Sequence, residues 1–316
     1  MNSSDIFFSV IIPLFNKEKY IARAVESVLN QSISNFEVII VDDGSSDNSV
    51  SEIQKFLPHI KIIQQGNKGV SAARNAGIKA ASYDYLAFLD ADDEWKPNFL
   101  IEMKRLILKY PSAGAYCCRR EHIDTVLGNR GVFPDVAIPG DELVVDRFFK
   151  FTIENNDYPE SSSSTVVPRS TLDKVGQFPL NEPIREDVDL WTRISLAYDV
   201  ILSPQVCSII HTHTDNNSRK CSREREYKGG LQVVNTMKNA LQTGKVREID
   251  VSYAERFFEL CQIGCAVINI RGGNPSQGRK YLRSIKSQYY LQKKLLWYMI
   301  SFLPLWLIEK MIRMSH

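Results

Sequence analysis

The sequence predicts an α/β fold: a doubly wound, mostly parallel sheet with a C-terminal helical appendage. Three observations predict it. Short apolar runs alternate with amphipathic stretches through roughly the first 120 residues. Acidic or polar clusters recur where the apolar runs stop. From Arg223 onward the pattern is helical almost to the end, interrupted at Gly272-Gly273-Asn274-Pro275. Strands spaced by helices mean parallel pairing through right-handed crossovers.

Each element has its own reason. Phe7–Pro13 is an apolar run ending in proline, as a buried parallel strand requires. Lys17–Asn30 puts Tyr20, Ile21, Ala24, Val25, Val28 and Leu29 on one helical stripe. Phe36–Val41 reads as a second buried strand. Ser45, Ser46 and Asp47 offer N-cap chemistry for a helix through Leu57, stopped by Pro58. Ile60–Ile63 is a short third strand, Gly69 opens a third helix and Tyr85–Leu89 is the fourth strand. Pro97 stands where a first-turn proline belongs, ahead of a helix ending near Tyr110. Regularity is lost from Asp124 to Ser164. It returns as a strand at Thr165–Val167, a short helix at Ser170–Val175 and a longer one at Glu186–Ala197. The expected division is a catalytic domain over 1–220 and a helical region over 221–316.

Composition narrows the class. Hydrophobic residues make up 44% and charged residues 24%, which excludes a disordered chain, a fibrous repeat and a polytopic membrane protein. The net charge of +2 hides an asymmetry: residues 279–316 carry +7 and the rest −5. A mildly acidic body with a basic tail is no nucleic-acid footprint. The six cysteines contain no CxxC, so they read as reduced and structural. MNSSDIFF has neither a basic nor a long apolar segment, so no signal peptide is expected.

Ligands of open α/β sheets bind outside the carboxyl ends of the strands. Three clusters fall there: Pro13-Leu14-Phe15-Asn16, Asp42-Asp43-Gly44-Ser45 and Asp90-Ala91-Asp92-Asp93. Carboxylates gathered on one edge repel unless a cation lies between them, and a hard divalent ion with oxygen ligands suits. Helix caps are the plainer alternative for Asp42-Asp43. For Asp90–Asp93, three carboxylates in four residues exceed what one cap requires.

In order, SVIIPLFNKEKYIARAVESVLNQ, FEVIIVDDGSSDNS, NKGVSAARNAGI and YLAFLDADDEWKPNFL resemble the nucleotide-sugar domain of the family 2 inverting glycosyltransferases of GT-A fold. The resemblance is dense over 7–110 and returns at 165–200. Asp90-Ala91-Asp92 matches the family's DxD element, and Glu186-Asp187 in REDVDLWTRI its ED element. The resemblance implies nucleotide-sugar binding over 1–110 and an acceptor side over 111–220. Pro13 and Phe15 would line the base and ribose pocket. Asp43, with Asp42 beside it, would accept the imide N–H of uracil. Lys68, Arg74 and Asn75 would contact the nucleotide and its phosphates. Asp90 and Asp92, spaced by Ala91, would face the ribose and the metal, with Asp93 beside them. Asp187 would be the catalytic base, with Glu186 on the acceptor side and Trp191 shaping the acceptor pocket on that side or the core. His213, preferred over His211, would be a late metal ligand, and Arg219 and Lys220 diphosphate contacts.

The implied reaction is metal-dependent transfer of a hexose, with inversion, from a UDP-linked donor to a hydroxyl of a growing, lipid-linked glycan. The residue types suit it. Mn²⁺ or Mg²⁺ on carboxylates neutralises the departing diphosphate, and a carboxylate on the opposite face takes the acceptor's proton. A nucleotidyltransferase would need a Gly-rich basic loop after the first strand, where PLFNKEKY stands instead. A non-catalytic nucleotide- or glycan-binding relative would have lost Asp90, Asp92 or Asp187.

The tail suggests location. Leu295–Ile308 has fourteen uncharged residues, including Trp297, Tyr298, Phe302 and Trp306, bracketed by Lys293, Lys294, Lys310 and Arg313. It is too short to span a bilayer, and aromatics flanked by cations are interfacial features. The expectation is a cytoplasmic protein held peripherally on the anionic inner face of the cell membrane through 279–316. A helical hairpin packed on the body or on a partner subunit is the alternative.

Overall fold

The computed structural model describes residues 5–125, 128–138, 140–180, 182, 184–212, 231–304 and 307–308. The chain divides into two compact units, Met1–Asn181 with Glu186–Thr214, and Glu182–Arg185 with Asp215–His316. The second unit thus takes up a short internal segment that no linker composition marks.

The first unit is built on one mixed sheet. Its strands are β1 (Phe8–Leu14), β2 (Phe36–Asp42), β3 (Lys61–Gln64), β4 (Tyr85–Phe88), β5 (Glu94–Trp95), β6 (Ala115–Asp124), β7 (Arg130–Phe133), β8 (Leu143–Val145), β9 (Thr165–Pro168) and β10 (Val200–Thr212). The order is β3-β2-β1-β4-β9-β6-β10-β5, with β7 on β6 and β8 on β10. The longest ladders are parallel: β1 with β2, and β6 with β10. β9 enters antiparallel between β4 and β6. Every residue of β1 is buried, as expected of a strand covered on both faces.

Among the described residues the connecting helices are α1 (Ile21–Leu29), α2 (Ser49–Ile53), α3 (Val70–Ala80), α4 (Phe99–Lys109), α5 (Phe148–Asn155), α6 (Arg169–Val175) and α7 (Glu186–Ala197). α1 buries Ile21, Ala24, Val25 and Val28, the expected stripe. α3 lies so close on β1 that a Cβ on Gly77 would sit 2.4 Å from Ile11 Cγ2; glycine here is a packing requirement.

Boundaries moved where side chains had other work. α1 opens at Ile21 because residues 16–18 are bonded to the loop after β2. α2 stops at Ile53 and a 3₁₀ turn, Gln54–Phe56, finishes the segment. α4 opens at Phe99; the Pro97 carbonyl accepts from the Ser32 amide and hydroxyl instead. The stretch read as irregular holds β7, β8 and α5. β6 and β10 escaped the sequence reading for separate reasons. The second half of β6 is charged, and β10 is broken by a bulge between Ser203 and Val206, around Pro204.

The second unit contains α8 (Gln232–Gln242), α9 (Val251–Arg271), α10 (Pro275–Ser284) and α11 (Leu291–Ile300). Asn274 caps α10 by accepting from the Gln277 amide at 3.3 Å, with Pro275 in the first turn. α9 and α10 touch closely: a Cβ on Gly278 would lie 2.8 Å from the Ala266 carbonyl oxygen. Their core is Ile263, Ala266, Ile270, Leu282, Ile285 and Ile308. Trp297 and Tyr298, expected at a membrane interface, pack partly against this core. The outward side of α11 is apolar as well. Leu295 is 50% exposed, Leu296 49%, Met299 63% and the following Phe302 64%. No helix among the described residues is long and apolar enough to cross a membrane.

Candidate functional site

β1, β2 and β4 run parallel, so their carboxyl ends share one edge. Two loops there are stitched by reciprocal bonds. The Asn16 amide donates to Ser45 Oγ at 3.0 Å, and Ser46 N–H donates to Asn16 Oδ1 at 2.8 Å. Asn16 holds a left-handed φ of 51°, which asparagine tolerates better than most residues. The Lys17 amide donates to Ser49 Oγ at 2.7 Å, and Asn48 N–H to Glu18 Oε2 at 3.0 Å. Pro13 is buried in β1 and Phe15 is half-buried just beyond it, on this fixed edge.

Asp42 and Asp43 are both 3% exposed. Asp42 Oδ1 accepts from the Ser45 amide at 3.0 Å, closing a turn on itself. Asp43 binds a whole loop: Oδ1 accepts from Gln65 Nε2 (2.7 Å) and the Lys68 amide (2.9 Å), and Oδ2 from the Gly69 amide (2.7 Å). This carboxylate fixes the entry to α3, and a base imide would have to share Oδ2. Lys68 takes part through its backbone; the residue itself is exposed.

Residues 90–93 form a tight turn, with Asp93 N–H donating to the Asp90 carbonyl at 3.0 Å. Its three carboxylates go separate ways. Asp90 Oδ1 accepts from Arg74 Nη2 at 2.7 Å. Asp92 pairs with the Lys17 ammonium, and its carbonyl accepts from Arg23. Asp93 points inward, taking the Ser163 hydroxyl on Oδ2 at 2.6 Å and the His211 amide on Oδ1 at 2.9 Å. Burial, with the Asp92 and Asp90 charges nearby, pushes its acid well above the usual range. Asp93, expected beside the metal, thus holds the turn to Ser163 and to the His211 backbone. Ala91 is a buried spacer, 3% exposed. His211 Nε2 lies 2.8 Å from Glu94 Oε1; His213, Arg219 and Lys220 fall outside the described residues.

Arg74 is the hub. It is 3% exposed, and besides Asp90 it donates from Nη1 to Glu186 Oε1 at 2.7 Å. Burial alone would disfavour its charge; Asp90 and Glu186 outweigh that and hold it protonated. Phe178 lies under the guanidinium, 5.0 Å from ring centroid to Cζ. Arg74 was expected at the phosphates; it instead joins the DxD turn to the first turn of α7. Asn75, expected at the nucleotide, bonds Phe178 through its side-chain amide, donating to the carbonyl at 2.9 Å and accepting from the N–H at 3.1 Å.

Asp187 follows Glu186 at the start of α7 and keeps partial exposure. Burial, then the Glu186 charge, pushes its acid up to about 6, against the pull of Arg74. A carboxylate poised there can take a proton near neutral pH. Of the two expectations for Trp191, its burial favours the core: it is 1% exposed, with Phe178 edge-on to its ring at 6.2 Å.

The residues at the turn suit a divalent cation. Asp90 and Asp92 each spend one oxygen on a basic side chain and keep the other without a partner among the described residues. Two hard carboxylates supplemented by diphosphate oxygens and water are a usual Mg²⁺ arrangement. Among the described residues no group of three His, Cys, Asp or Glu side chains is arranged as a complete cage. Sequence reasoning missed Lys17, Arg23 and Ser163. Lys17 was findable as a cation directly after the first strand loop; Ser163 carried no signal within a run of four serines.

Comparisons with known proteins bear on the family and the fold. The glycosyl transferase family 2 profile matches residues 9–172, just over half of the chain. An uncharacterized glycosyltransferase of Nostoc sp. is 35% identical over 182 residues, 56% of this chain and 54% of its own. One from Rickettsia felis is 44% identical over 224 residues, 69% of this chain and 36% of its own. The matches thus span about half or less of these relatives' length. Among solved structures, S. aureus TarS in complex with UDP-GlcNAc superposes with a TM-score of 0.59 at 18% identity, over 94% of this chain and 79% of that one. The mannosyltransferase PcManGT from Pyrobaculum calidifontis, in complex with GDP-Man and Mn²⁺, gives 0.57 at 16% identity, over 93% and 83%. At such identities these structures establish the GT-A architecture alone. By the family match and by the fold, the chain belongs to glycosyl transferase family 2.

Proposed function

We propose that the protein is a metal-dependent, inverting hexosyltransferase that uses a UDP-linked sugar and a hydroxyl of a growing, lipid-linked glycan. The observation that carries the reading is the bridge Asp90–Arg74–Glu186. It sets a pair of carboxylates suited to a cation beside a separate carboxyl, Asp187, whose acid is raised to about 6.

In this reading Asp90 and Asp92 hold Mn²⁺ or Mg²⁺, which supplies charge neutralisation for the leaving diphosphate. The loops after β1 and β2 fix Pro13 and Phe15 for the base and ribose. Asp187 takes the proton of the acceptor hydroxyl as its oxygen attacks the anomeric carbon. The new C1–O bond forms on one face while the C1–O(phosphate) bond breaks on the other, giving inversion. Arg74 acts through its neighbours, orienting Asp90 and Glu186 and holding down the Asp187 acid. The complexes of the structural neighbours, UDP-GlcNAc for TarS and GDP-Man with Mn²⁺ for PcManGT, support a nucleotide-sugar donor.

We assign the lipid-linked acceptor from the tail. Residues 279–308 contain six basic residues and no acid. With the exposed apolar side of α11, they suit peripheral attachment to an anionic leaflet. The test of function is nucleotide release from UDP- and GDP-sugars with Mn²⁺ present. Absence of release from every donor defeats the reading.

A further inference from the structure

Two basic side chains meet the carboxylates of the DxD turn, and one of them is locked. Arg74 is buried, and its fork serves Asp90 and Glu186 at once. Lys17 is held differently. Its backbone is fixed from both sides: the amide donates to Ser49 Oγ at 2.7 Å, and the carbonyl accepts from the Tyr20 and Ile21 amides at 2.9 and 3.0 Å. Its ammonium pairs with one carboxylate, Asp92, and lies 5.9 Å from the centre of the Tyr20 ring. Both side chains of the pair keep 14% of their surface exposed. A lysine is a compact charge on a flexible stem, so this ammonium can leave Asp92 while the loop stays in place.

The turn does not need Lys17 to keep its shape. The Asp92 carbonyl accepts from the Arg23 guanidinium, and the next amide, that of Asp93, donates to the Asp90 carbonyl at 3.0 Å. Asp92 is thus positioned through its backbone, and its carboxylate is free to exchange one cation for another.

Asp92 is also one of the two carboxylates read above as holding the divalent ion. Lys17 and that ion draw on the same negative charge from the same edge, and like charges repel at such range. Charge counting shows what relieves the repulsion. A nucleotide-sugar diphosphate carries as much negative charge as a divalent ion carries positive. Arriving together, ion and diphosphate leave the balance of the turn unchanged. The ion alone adds uncompensated positive charge beside Lys17.

We propose that Lys17 couples ion binding to donor binding: it competes with the divalent ion for Asp92, and the donor diphosphate ends the competition by taking the ammonium. Each ligand then raises the affinity of the other by the same factor. This rests on the transferase reading above. Lys17 transfers no proton here; it moves a charge from one anion to another.

Binding to the full chain, without turnover, tests it. The EPR signal of free Mn²⁺ follows ion binding, corrected for the complex that Mn²⁺ forms with nucleotide in solution. Calorimetry follows UDP or GDP binding at saturating Mn²⁺. Lys17→Met keeps an unbranched stem and removes the charge. It should bind Mn²⁺ alone roughly threefold or more tighter than wild type, because a partly exposed ion pair no longer has to be displaced. It should bind nucleotide at saturating Mn²⁺ at least about tenfold more weakly, the usual share of a hydrogen bond to a charged group. Lys55→Met removes the same charge from a pair outside the turn, Lys55–Glu26 at 3.1 Å, and should change neither affinity.

Shifts in Lys17→Met that are absent, of the same sign, or matched by Lys55→Met overturn the proposal. A fall in Tm of more than about 5 °C for Lys17→Met does so too, since the pair would then belong to the fold. Wild type that binds Mn²⁺ as tightly without nucleotide as with it leaves nothing to couple, and also overturns it. In all these cases the transferase reading stands. Wild type that binds neither UDP nor GDP defeats that reading and the proposal with it.

Discussion

The Glu186 carboxylate lies 2.7 Å from Arg74, and the pair is almost wholly buried. The same guanidinium holds Asp90 at the same distance. One cation thereby couples two acidic elements separated by nearly a hundred residues.

Removing that cation leaves two carboxylates uncompensated. Arg74→Met should cost about 3–5 kcal/mol, the usual penalty for breaking a buried ion pair by deleting one partner. Urea unfolding at pH 7 measures it. A loss under 1 kcal/mol would show that the bridge is not held in solution. Arg74→Lys keeps the charge but cannot serve both partners with a planar fork, so it should retain most of the stability and lose most of the transfer rate.

Asp187 sets the acidic limb of activity. Its carboxyl must be ionised to act as a base, so transfer should rise with pH and level off above about 6. Asp187→Asn should lower transfer by at least ~10²-fold and abolish that limb. The stability effect has the opposite sign. An acid raised from 3.8 to about 6 is at its best below the lower value and weakens the fold as pH climbs through that window. The asparagine variant should therefore unfold at a higher temperature than wild type at pH 7. Scanning calorimetry at pH 4 and pH 7 checks both ends.

Asp92 separates metal binding from folding. Its carboxylate is partly exposed and paired with Lys17, a contact worth roughly 0–1 kcal/mol. Asp92→Asn should leave Tm nearly unchanged while sharply raising the Mn²⁺ concentration for half-maximal nucleotide release. Wild-type turnover that persists in EDTA would remove the metal from the reading.

The exposed side of α11 should bind membranes. Sedimentation with vesicles containing anionic lipid should be strong at low salt, weaker at high salt and weak on neutral vesicles. Leu295→Glu with Met299→Glu should abolish it without unfolding the second unit, since both side chains point to solvent. If the double variant still sediments, residues outside this face carry the attachment.

Much of the donor half was legible because its signals are local. β1, β2 and β4 are largely apolar runs, and each leads into the polar cluster that forms the edge. Asp90, Asp92, Glu186 and Asp187 were visible as motifs. Their coupling was not, because the distance from Arg74 to Glu186 depends on how β9 and α6 return the chain. Ser163 was illegible for a related reason. Its role comes from long-range neighbours, and a serine in a serine run has no distinctive local pattern. β6 and β10 were hidden by the charged half of one and the bulge of the other. The Asn75–Phe178 bonds were not legible, because a motif gives a residue's place along the chain and not the direction of its side chain.

β9 sits between β4 and β6 although it follows β4 by a long stretch of chain. On the ribosome, β1 to β4 can assemble as soon as they emerge, yet β4 keeps one edge open until Thr165–Pro168 arrive. At typical synthesis speeds of ~5–20 residues per second, that interval lasts roughly 4–15 s. During it the nascent chain displays Tyr85–Phe88, an apolar strand beside a buried one, with backbone donors and acceptors free to recruit another chain. The late strand is thus a timed seal. Rare codons placed between residues 89 and 165 would lengthen the exposure and lower soluble yield, while leaving the finished protein unchanged.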